Sequence, residues 1–382
     1  MAGKIKVLEV NVDDQGNGGV YSLIKSVIEN KPENLQIDIA ALEPFEKKEN
    51  IRYLRSLGTR IFFTGYKGNK IKKQLYIYKH MCTLLKKERY DVVHIHSDVA
   101  NKLLVSGLAA KACGVPNIIL HSHATGTDGK NRKIKKVVHD LCRNYLQYVG
   151  TDYAACSYAA AKWMFPEIAR SDIKLVKNGI DIKKYAYAPK IREIIRHELG
   201  LEEDDYLIGH VGRFMYQKNH EYVIEVYDSF LREWNNKKCA GVPKLLLAGE
   251  GELKGNIMKM VKDKGFSENV IFVGLSNRVN ELMQGMDAFI LPSFFEGLPI
   301  VGIEAQASGL PVIFSDKITK EARLTKKVAF LPIEYDKTDL WVKKLFEYKE
   351  GYQRKNTSAM LEKKSYSINS TVNYLISLYK RG

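Results

Sequence analysis

Residues Leu291 to Ile313 read LPSFFEGLPIVGIEAQASGLPVI. The apolar run Ala288-Phe289-Ile290-Leu291 leads into this stretch and stops at Pro292. Phe295-Glu296-Gly297 form a loop, a helical segment bearing Glu304 ends at Gly309 and Pro311, and a second apolar run follows at Val312-Ile313-Phe314. Strand, loop, helix and strand of these lengths predict a βαβ unit of a parallel sheet. Ligands of such sheets lie beyond the carboxyl ends of the strands, where helix N-termini present unpaired N–H groups. Glu296 and Glu304, eight residues apart, bracket that end. A carboxylate near a helix start can accept paired ribose hydroxyls, and the N–H groups of residues 297–300 can hold phosphate or sugar oxygens. Two isolated glutamates would ordinarily be a solvated loop residue and a surface helix residue. Here the neighbours decide.

A chain of 382 residues with 45% hydrophobic content predicts two cores rather than one. It has no run of about 18 apolar residues, so no transmembrane helix is expected. The first residues, MAGKIKVLEVNV, lack the apolar core and cleavage site of a signal peptide and read as a first strand. Cys82, Cys113, Cys142, Cys156 and Cys239 are odd in number and scattered, which suggests neither a zinc site nor a disulfide framework. A reducing cytoplasm is the natural setting for such a set. Of the net charge of +16, residues through 185 carry +13, from 31 Lys and Arg against 18 Asp and Glu. This asymmetry points to an anionic partner for the first half: nucleic acid, an anionic membrane surface or an acidic acceptor. No aromatic RNA-binding motif or zinc module accompanies the charge, so nucleic acid is not the expected partner.

Residues 4–12, KIKVLEVNV, predict a buried strand, and Gly16-Asn17-Gly18-Gly19 a turn into a helix with Val20, Leu23, Ile24, Val27 and Ile28 at helical spacing. A glycine-rich turn at this place can present anion-binding amides. The dinucleotide fingerprint G-x-G-x-x-G is absent, which counts against a nicotinamide or flavin cofactor. Strand-like segments follow at 35–42 and 60–63, then a helix over 69–87 with Ile71, Leu75, Tyr78, Met81 and Leu85 on one face. The segment 91–97, DVVHIHS, reads as a buried strand whose histidine is a packed core residue. Ile118-Ile119-Leu120 ends in His121-Ser122-His123-Ala124-Thr125-Gly126. Two histidines two apart suit a metal, but no third ligand is near in sequence and metal binding is not expected.

Residues 130–150 combine Lys130, Arg132, Lys133, Lys135 and Lys136 with a stripe of Ile134, Val137, Val138, Leu141, Tyr145 and Tyr148. Two readings stand. A basic amphipathic helix can lie on an anionic membrane, each basic residue contributing about 1 kcal/mol; alternatively the helix faces a core with a solvated basic end. The charge excess favours the membrane. Thr151 to Ser157 reads as the last strand of the first domain, and the charged stretch 183–205 leads into the second. There the rhythm restarts: residues 207–213, LIGHVGR, are a strand running into a loop, and Gln217-Lys218-Asn219-His220 precede a helix. No D-x-D metal motif is evident. Arg213 and Lys218 flank that loop, where such residues would ordinarily be surface charges. Residues 244–252, KLLLAGEGE, and 270–274, VIFVG, are further strands, and a last helix over 367–380 aligns Ile368, Val372, Leu375, Ile376 and Tyr379.

The pattern E-G-L-P-I-V-G-I-E-A-Q-A-S-G-L-P-V-I resembles the paired-glutamate signature of retaining glycosyltransferases of family 4, which have the GT-B architecture. With the other motifs in order, the resemblance covers essentially the whole chain and is densest over 207–315. It is most similar to the subgroup that builds bacterial capsular or extracellular polysaccharide. The resemblance implies an α/β fold of two Rossmann-like parallel-sheet domains facing across a cleft. Residues 1–171 plus 366–382 would bind the acceptor and 172–365 the nucleotide-sugar, with the C-terminal helix crossing back to domain one. It further implies transfer from a UDP-sugar to a glycan or lipid-linked acceptor, with retention, by a front-face, ion-pair-like route in which the leaving phosphate helps deprotonate the acceptor.

Residue by residue, the resemblance implies that His123, with His121 in reserve, and Glu296 hold the reacting sugar. Arg213 and Lys218 match the family's G-R-x-x-x-x-K pair and would neutralise the diphosphate. Gly18 and Gly19 would face that diphosphate, Leu275 in the loop 274–278 would meet the base, and Gly297, Leu298, Pro299 and Glu304 would complete the donor site, with Glu304 on the ribose. No metal and no cofactor is implied, the nucleotide-sugar being a substrate. The expected location is cytoplasmic, peripheral on the inner face of the cell membrane. The alternative on the same fold is a non-catalytic nucleotide-sugar-binding subunit, against which the full set of motif residues counts.

Overall fold

The structure, a computed structural model, describes residues 4–14, 19–66, 70–129 and 131–380. The chain divides into two compact units: Met1–Gly179 with Ile368–Gly382, and Ile180–Ser367.

The first unit is built on seven parallel strands: β1 (Ile5–Val10), β2 (Leu35–Ala41), β3 (Ile61–Phe63), β4 (Val92–Ser97), β5 (Asn117–Ser122), β6 (Asp152–Ala155) and β7 (Ile173–Leu175), in the order β3-β2-β1-β4-β5-β6-β7. Strands 4 and 5 are buried along their whole length, as both faces of a helix-covered parallel sheet require. The helix Gly19–Glu29 buries Leu23, Ile24, Val27 and Ile28 as its periodicity predicts, and packs against the helix Ile368–Tyr379. Val372, Leu375 and Tyr379 of that last helix join Val7, Ile37 and Ile119 in one core.

Three details depart from the sequence reading. β7 pairs with β6, so the last strand of the first unit is Ile173–Leu175, and the division falls after Gly179 rather than at 171. On the helix Lys70–Glu88 the buried face is Ile77, Met81, Leu84 and Leu85, while Leu75 is exposed. The helix Arg132–Arg143 does not face a core: only His139 is buried, held by Ala100 N–H at Nδ1 (3.1 Å), by Trp163 O at Nε2 (3.1 Å) and by stacking on the Trp163 ring. Ile134, Val137, Leu141, Tyr145 and Tyr148 are each about 60% exposed or more.

The second unit repeats the plan with six parallel strands: β8 (Tyr206–Val211), β9 (Pro243–Ala248), β10 (Val270–Gly274), β11 (Ala288–Leu291), β12 (Val312–Ser315) and β13 (Val328–Leu331), in the order β10-β9-β8-β11-β12-β13. Between β11 and β12 runs the helix Ile300–Ala307, so the βαβ unit read from 291–313 is present. Gly302 lets this helix lie directly on β12, since a Cβ there would stand 2.5 Å from the Phe314 ring. Tyr222, Tyr227, Phe230, Trp234 and Trp341 fill the core on the other side.

In each unit the strand order reverses once, between β1 and β4 and between β8 and β11. The carboxyl edge at such a reversal is the place where open α/β sheets take ligands.

Candidate functional site

In the second unit the two loops at the reversal are tied to each other. Beyond β8 the chain makes a short 3-10 turn at Tyr216–Lys218, ended by Asn219 in the left-handed conformation (φ 53°), which asparagine tolerates. Asn219 Nδ2 donates to Pro292 O at 3.2 Å, Phe294 N–H donates to Gln217 O at 2.9 Å, and the Tyr216 and Phe294 rings stack at 4.5 Å. These links join the β8 loop to the loop after β11, and Glu296 sits between them.

The Glu296 carboxylate is almost fully enclosed. Lys218 Nζ approaches Oε1 at 2.6 Å, Ser293 Oγ donates to Oε1 at 2.8 Å, and Gln217 Nε2 donates to Oε2 at 3.2 Å. Both charges of the ion pair are largely withdrawn from water, so removing either one strands the other. Lys218 packs its stem against Gly212: a Cβ there would stand 3.1 Å from Lys218 Cδ. Arg213 follows Gly212 in the same loop and is exposed. The structure therefore brings Lys218 and Glu296 into contact and puts Arg213 on the loop that carries Lys218. Gly297, Leu298 and Pro299 are buried in the turn before the helix Ile300–Ala307.

Glu304 lies in the second turn of that helix. Burial pushes its carboxyl up, partly offset by a hydrogen bond from Tyr185 and by the nearby Lys184. Tyr185, from the short helix Ile182–Tyr185, has its hydroxyl pushed up by burial and by Glu304. Nothing in the sequence reading pointed to Tyr185 as a partner. Leu275 is 62% exposed just beyond β10.

In the first unit, Gly18 lies outside the described residues and Gly19 opens the helix Gly19–Glu29, exposed. His123, just past β5, belongs to a polar cluster that no single motif announces. Glu9 of β1 faces His94 of β4 in register, and His96 faces His121 of β5. Alternation then puts Glu9, His94, His96, His121 and His123 on one face, which Tyr379 covers. Tyr379 OH donates to Glu9 Oε1 (2.5 Å) and lies 2.9 Å from His94 Nδ1. His94 Nε2 is 3.0 Å from His121 Nδ1, and His96 bridges Glu9 (2.8 Å) and His123 (2.9 Å). Glu9, His94, His96 and His121 are fully buried. One nitrogen each from His94, His96 and His121 lies within 4.8 Å of the others, a spacing that can hold a metal ion. No third ligand is near His121 and His123 in sequence, but strand register brings His94 and His96 beside His121. Ring–ring, ring–carboxylate and ring–phenol hydrogen bonds tie these groups together, but His121 Nε2 is buried with no hydrogen-bond partner among the described residues. The signal available was the repetition of H-x-H at the ends of two neighbouring strands.

Comparison with known proteins supports the same assignment. Residues 191–329 match the family Glycosyl transferases group 1. The putative glycosyltransferase EpsF of Bacillus subtilis (strain 168) is 33% identical over 273 residues, covering 70% of this chain and 67% of that protein. The Escherichia coli UDP-Gal:alpha-D-GlcNAc-diphosphoundecaprenol alpha-1,3-galactosyltransferase is 28% identical over 236 residues, covering 61% of this chain and 59% of that protein. Anabaena Alr3699/HepE, solved in complex with UDP-glucose, superposes with a TM-score of 0.75 at 16% identity, covering 98% of each chain. That likeness shows the fold, the pair of Rossmann-like domains of GT-B glycosyltransferases. Through its sequence kinship, the chain belongs to the group 1 glycosyl transferases.

Proposed function

We propose that this glycosyltransferase moves a sugar from a UDP-sugar to a glycan or lipid-linked acceptor in bacterial surface polysaccharide synthesis, with retention and without a divalent metal. The observation that carries the reading is the Lys218–Glu296 pair at the strand-order reversal of the second unit, with Arg213 on the same loop. A UDP-sugar supplies what each group needs. The diphosphate meets Arg213 and Lys218, which hold the charge of the departing UDP in place of a metal. Sugar hydroxyls donate to Glu296, relieving it of Lys218, and the ribose hydroxyls donate to Glu304. His123 accepts a hydrogen bond from a hydroxyl of the transferred sugar. The anomeric C–O bond breaks toward the β-phosphate, which keeps the electron pair; the acceptor oxygen bonds the anomeric carbon on that same face, and its proton passes to the phosphate oxygen. The names of the relatives, among them the E. coli diphosphoundecaprenol enzyme and an amylovoran biosynthesis glycosyltransferase of Erwinia amylovora, support the pathway class.

The first unit takes the acceptor. Its +13 through residue 185 and the exposed apolar face of Arg132–Arg143 suit a lipid-linked acceptor at an anionic membrane surface. No described helix is long and apolar enough to cross a membrane. The test is release of UDP from UDP-glucose and UDP-galactose, with product anomers read by NMR. Binding of UDP with no turnover of any UDP-sugar, with or without acceptor lipid, would mark a sensor or partner subunit instead.

A further inference from the structure

In the first unit the ends of β1, β4 and β5 carry a row of side chains whose protons can be placed one after another. Burial pushes the Glu9 carboxyl up, but His94 and His96 outweigh it and hold it below the usual carboxylate range. Glu9 is therefore a carboxylate and only accepts hydrogen bonds. His96 Nε2, 2.8 Å from Glu9 Oε2, must carry a proton. Burial first, and His94 second, bring His96 down to about 4, with Glu9 only partly offsetting them. At neutral pH the His96 ring then has a single proton, and its Nδ1 is a lone pair. That lone pair lies 2.9 Å from His123 Nε2, which must be the N–H. Burial, His96 and His94 keep His123 neutral as well. Its Nδ1 is left as a lone pair, and no hydrogen bond to it is made among the described residues.

We propose that Glu9, acting through His96, sets the tautomer of His123 so that Nδ1 accepts a hydrogen bond from a hydroxyl of the transferred sugar. This rests on the reading of His123 as the residue that meets the sugar. Glu9 and His96 are then positioning residues for transfer, separated from the substrate by two side chains and one, respectively. The geometry also narrows the substrate class: the sugar must offer a free hydroxyl at that point, and a deoxy or O-alkyl analogue loses the bond. A purely structural network would need no particular direction of its protons. A carboxylate at one end imposes one, because it alone among these groups cannot donate.

The direct test uses the full chain labelled with nitrogen-15 histidine, observed by long-range nitrogen–proton correlation at neutral pH. The His123 signals are assigned by their loss in His123→Asn, a change at a half-buried position. His96 and His123 are both expected as Nε2–H tautomers with unprotonated Nδ1. A His123 ring that is cationic, or protonated at Nδ1, overturns the proposal without any variant of Glu9 having to fold. The second arm follows UDP release from UDP-glucose and UDP-galactose. Glu9→Gln, with its fold checked by circular dichroism, is expected to lower kcat about tenfold or more, one hydrogen bond's worth, and to leave the Kd for UDP unchanged. Glu9→Asp, which keeps the carboxylate, should recover part of that loss and restore the tautomer. A folded Glu9→Gln enzyme with a changed His123 tautomer and wild-type kcat overturns the proposal. If His123→Asn turns over normally, the parent reading fails and takes the proposal with it. An inactive His123→Asn beside a wild-type tautomer other than the one stated removes the proposal alone.

Discussion

Lys218 Nζ lies 2.6 Å from Glu296 Oε1, so the cation assigned to the leaving diphosphate and the carboxylate assigned to the sugar hold each other. A diphosphate drawing on Lys218 competes with that carboxylate. Lys218→Ala is therefore expected to lower turnover of UDP-sugar by about 10²–10³, the usual loss for one charge-stabilising group. Glu296→Gln should also lower turnover, yet bind UDP as tightly as the wild type or more so, because Lys218 no longer has a competing partner. Calorimetry with UDP checks this; weaker UDP binding by Glu296→Gln would count against the competition.

Glu304→Ala should weaken UDP binding by about 1.5–3 kcal/mol, the range for hydrogen bonds to a charged group. Tyr185→Phe removes the hydroxyl that holds Glu304 and should have a smaller effect in the same direction. Unchanged UDP affinity in Glu304→Ala rules out its place on the ribose.

If Arg213 and Lys218 hold the leaving group, full activity survives EDTA. Transfer that stops with chelator and returns with manganese or magnesium would show that a divalent ion, not the cation pair, carries that charge.

Acid should unfold the protein in a defined window. Burial brings His96 down to about 4 from an ordinary 6.5, brings His210 to about 4 and His220 to about 2, and holds His121 and His123 well down. The unfolded chain takes up these protons below pH 6.5 and the folded chain does not, so stability falls with pH from there. At 1.36 kcal/mol per pH unit, His96 alone accounts for about 3 kcal/mol by pH 4. Glu9, held low, keeps its stabilising effect until the pH drops below the ordinary carboxylate value of 4.5. Loss between pH 6.5 and 4.5 thus belongs to the histidines. Scanning calorimetry across that range should show a steadily falling Tm; a flat profile means the imidazoles are not buried in their neutral form.

Neutralising Lys133, Lys135 and Lys136 together should lower co-sedimentation with anionic vesicles and leave UDP affinity alone, since Glu296, Lys218 and Glu304 all lie in the other unit. Wild-type binding should fall as salt shortens the Debye length, about 8 Å at physiological ionic strength. If the wild type ignores anionic lipid even at low salt, the exposed face of Arg132–Arg143 serves a different partner.

Much of the second unit was legible because its strands are unbroken apolar runs closed by Gly or Pro, as at Ala288–Leu291 and Val312–Ser315. β7 was missed because Ile173-Lys174-Leu175 is too short to show a period, and the division at 179 was misplaced with it. β13, Val328–Leu331, also went unread. Helical spacing disclosed the stripe of Arg132–Arg143 but not what it faces, since an apolar stripe looks alike whether a core or solvent covers it. The partners of His123 were hidden because register across β1, β4 and β5, and not spacing along the chain, brings Glu9, His94 and His96 beside it.

The hydrogen bond from Tyr379 to Glu9 joins residues 370 positions apart. Every residue of Ile180–Ser367 leaves the ribosome between them. The second unit can close around its own aromatic core while the nascent first unit still holds a buried carboxylate and its imidazoles under no cover. Synthesis therefore runs with an unsealed sheet face waiting for its final helix. A chain cut before Ile368 should keep a folded second unit and present the first as a client for chaperones.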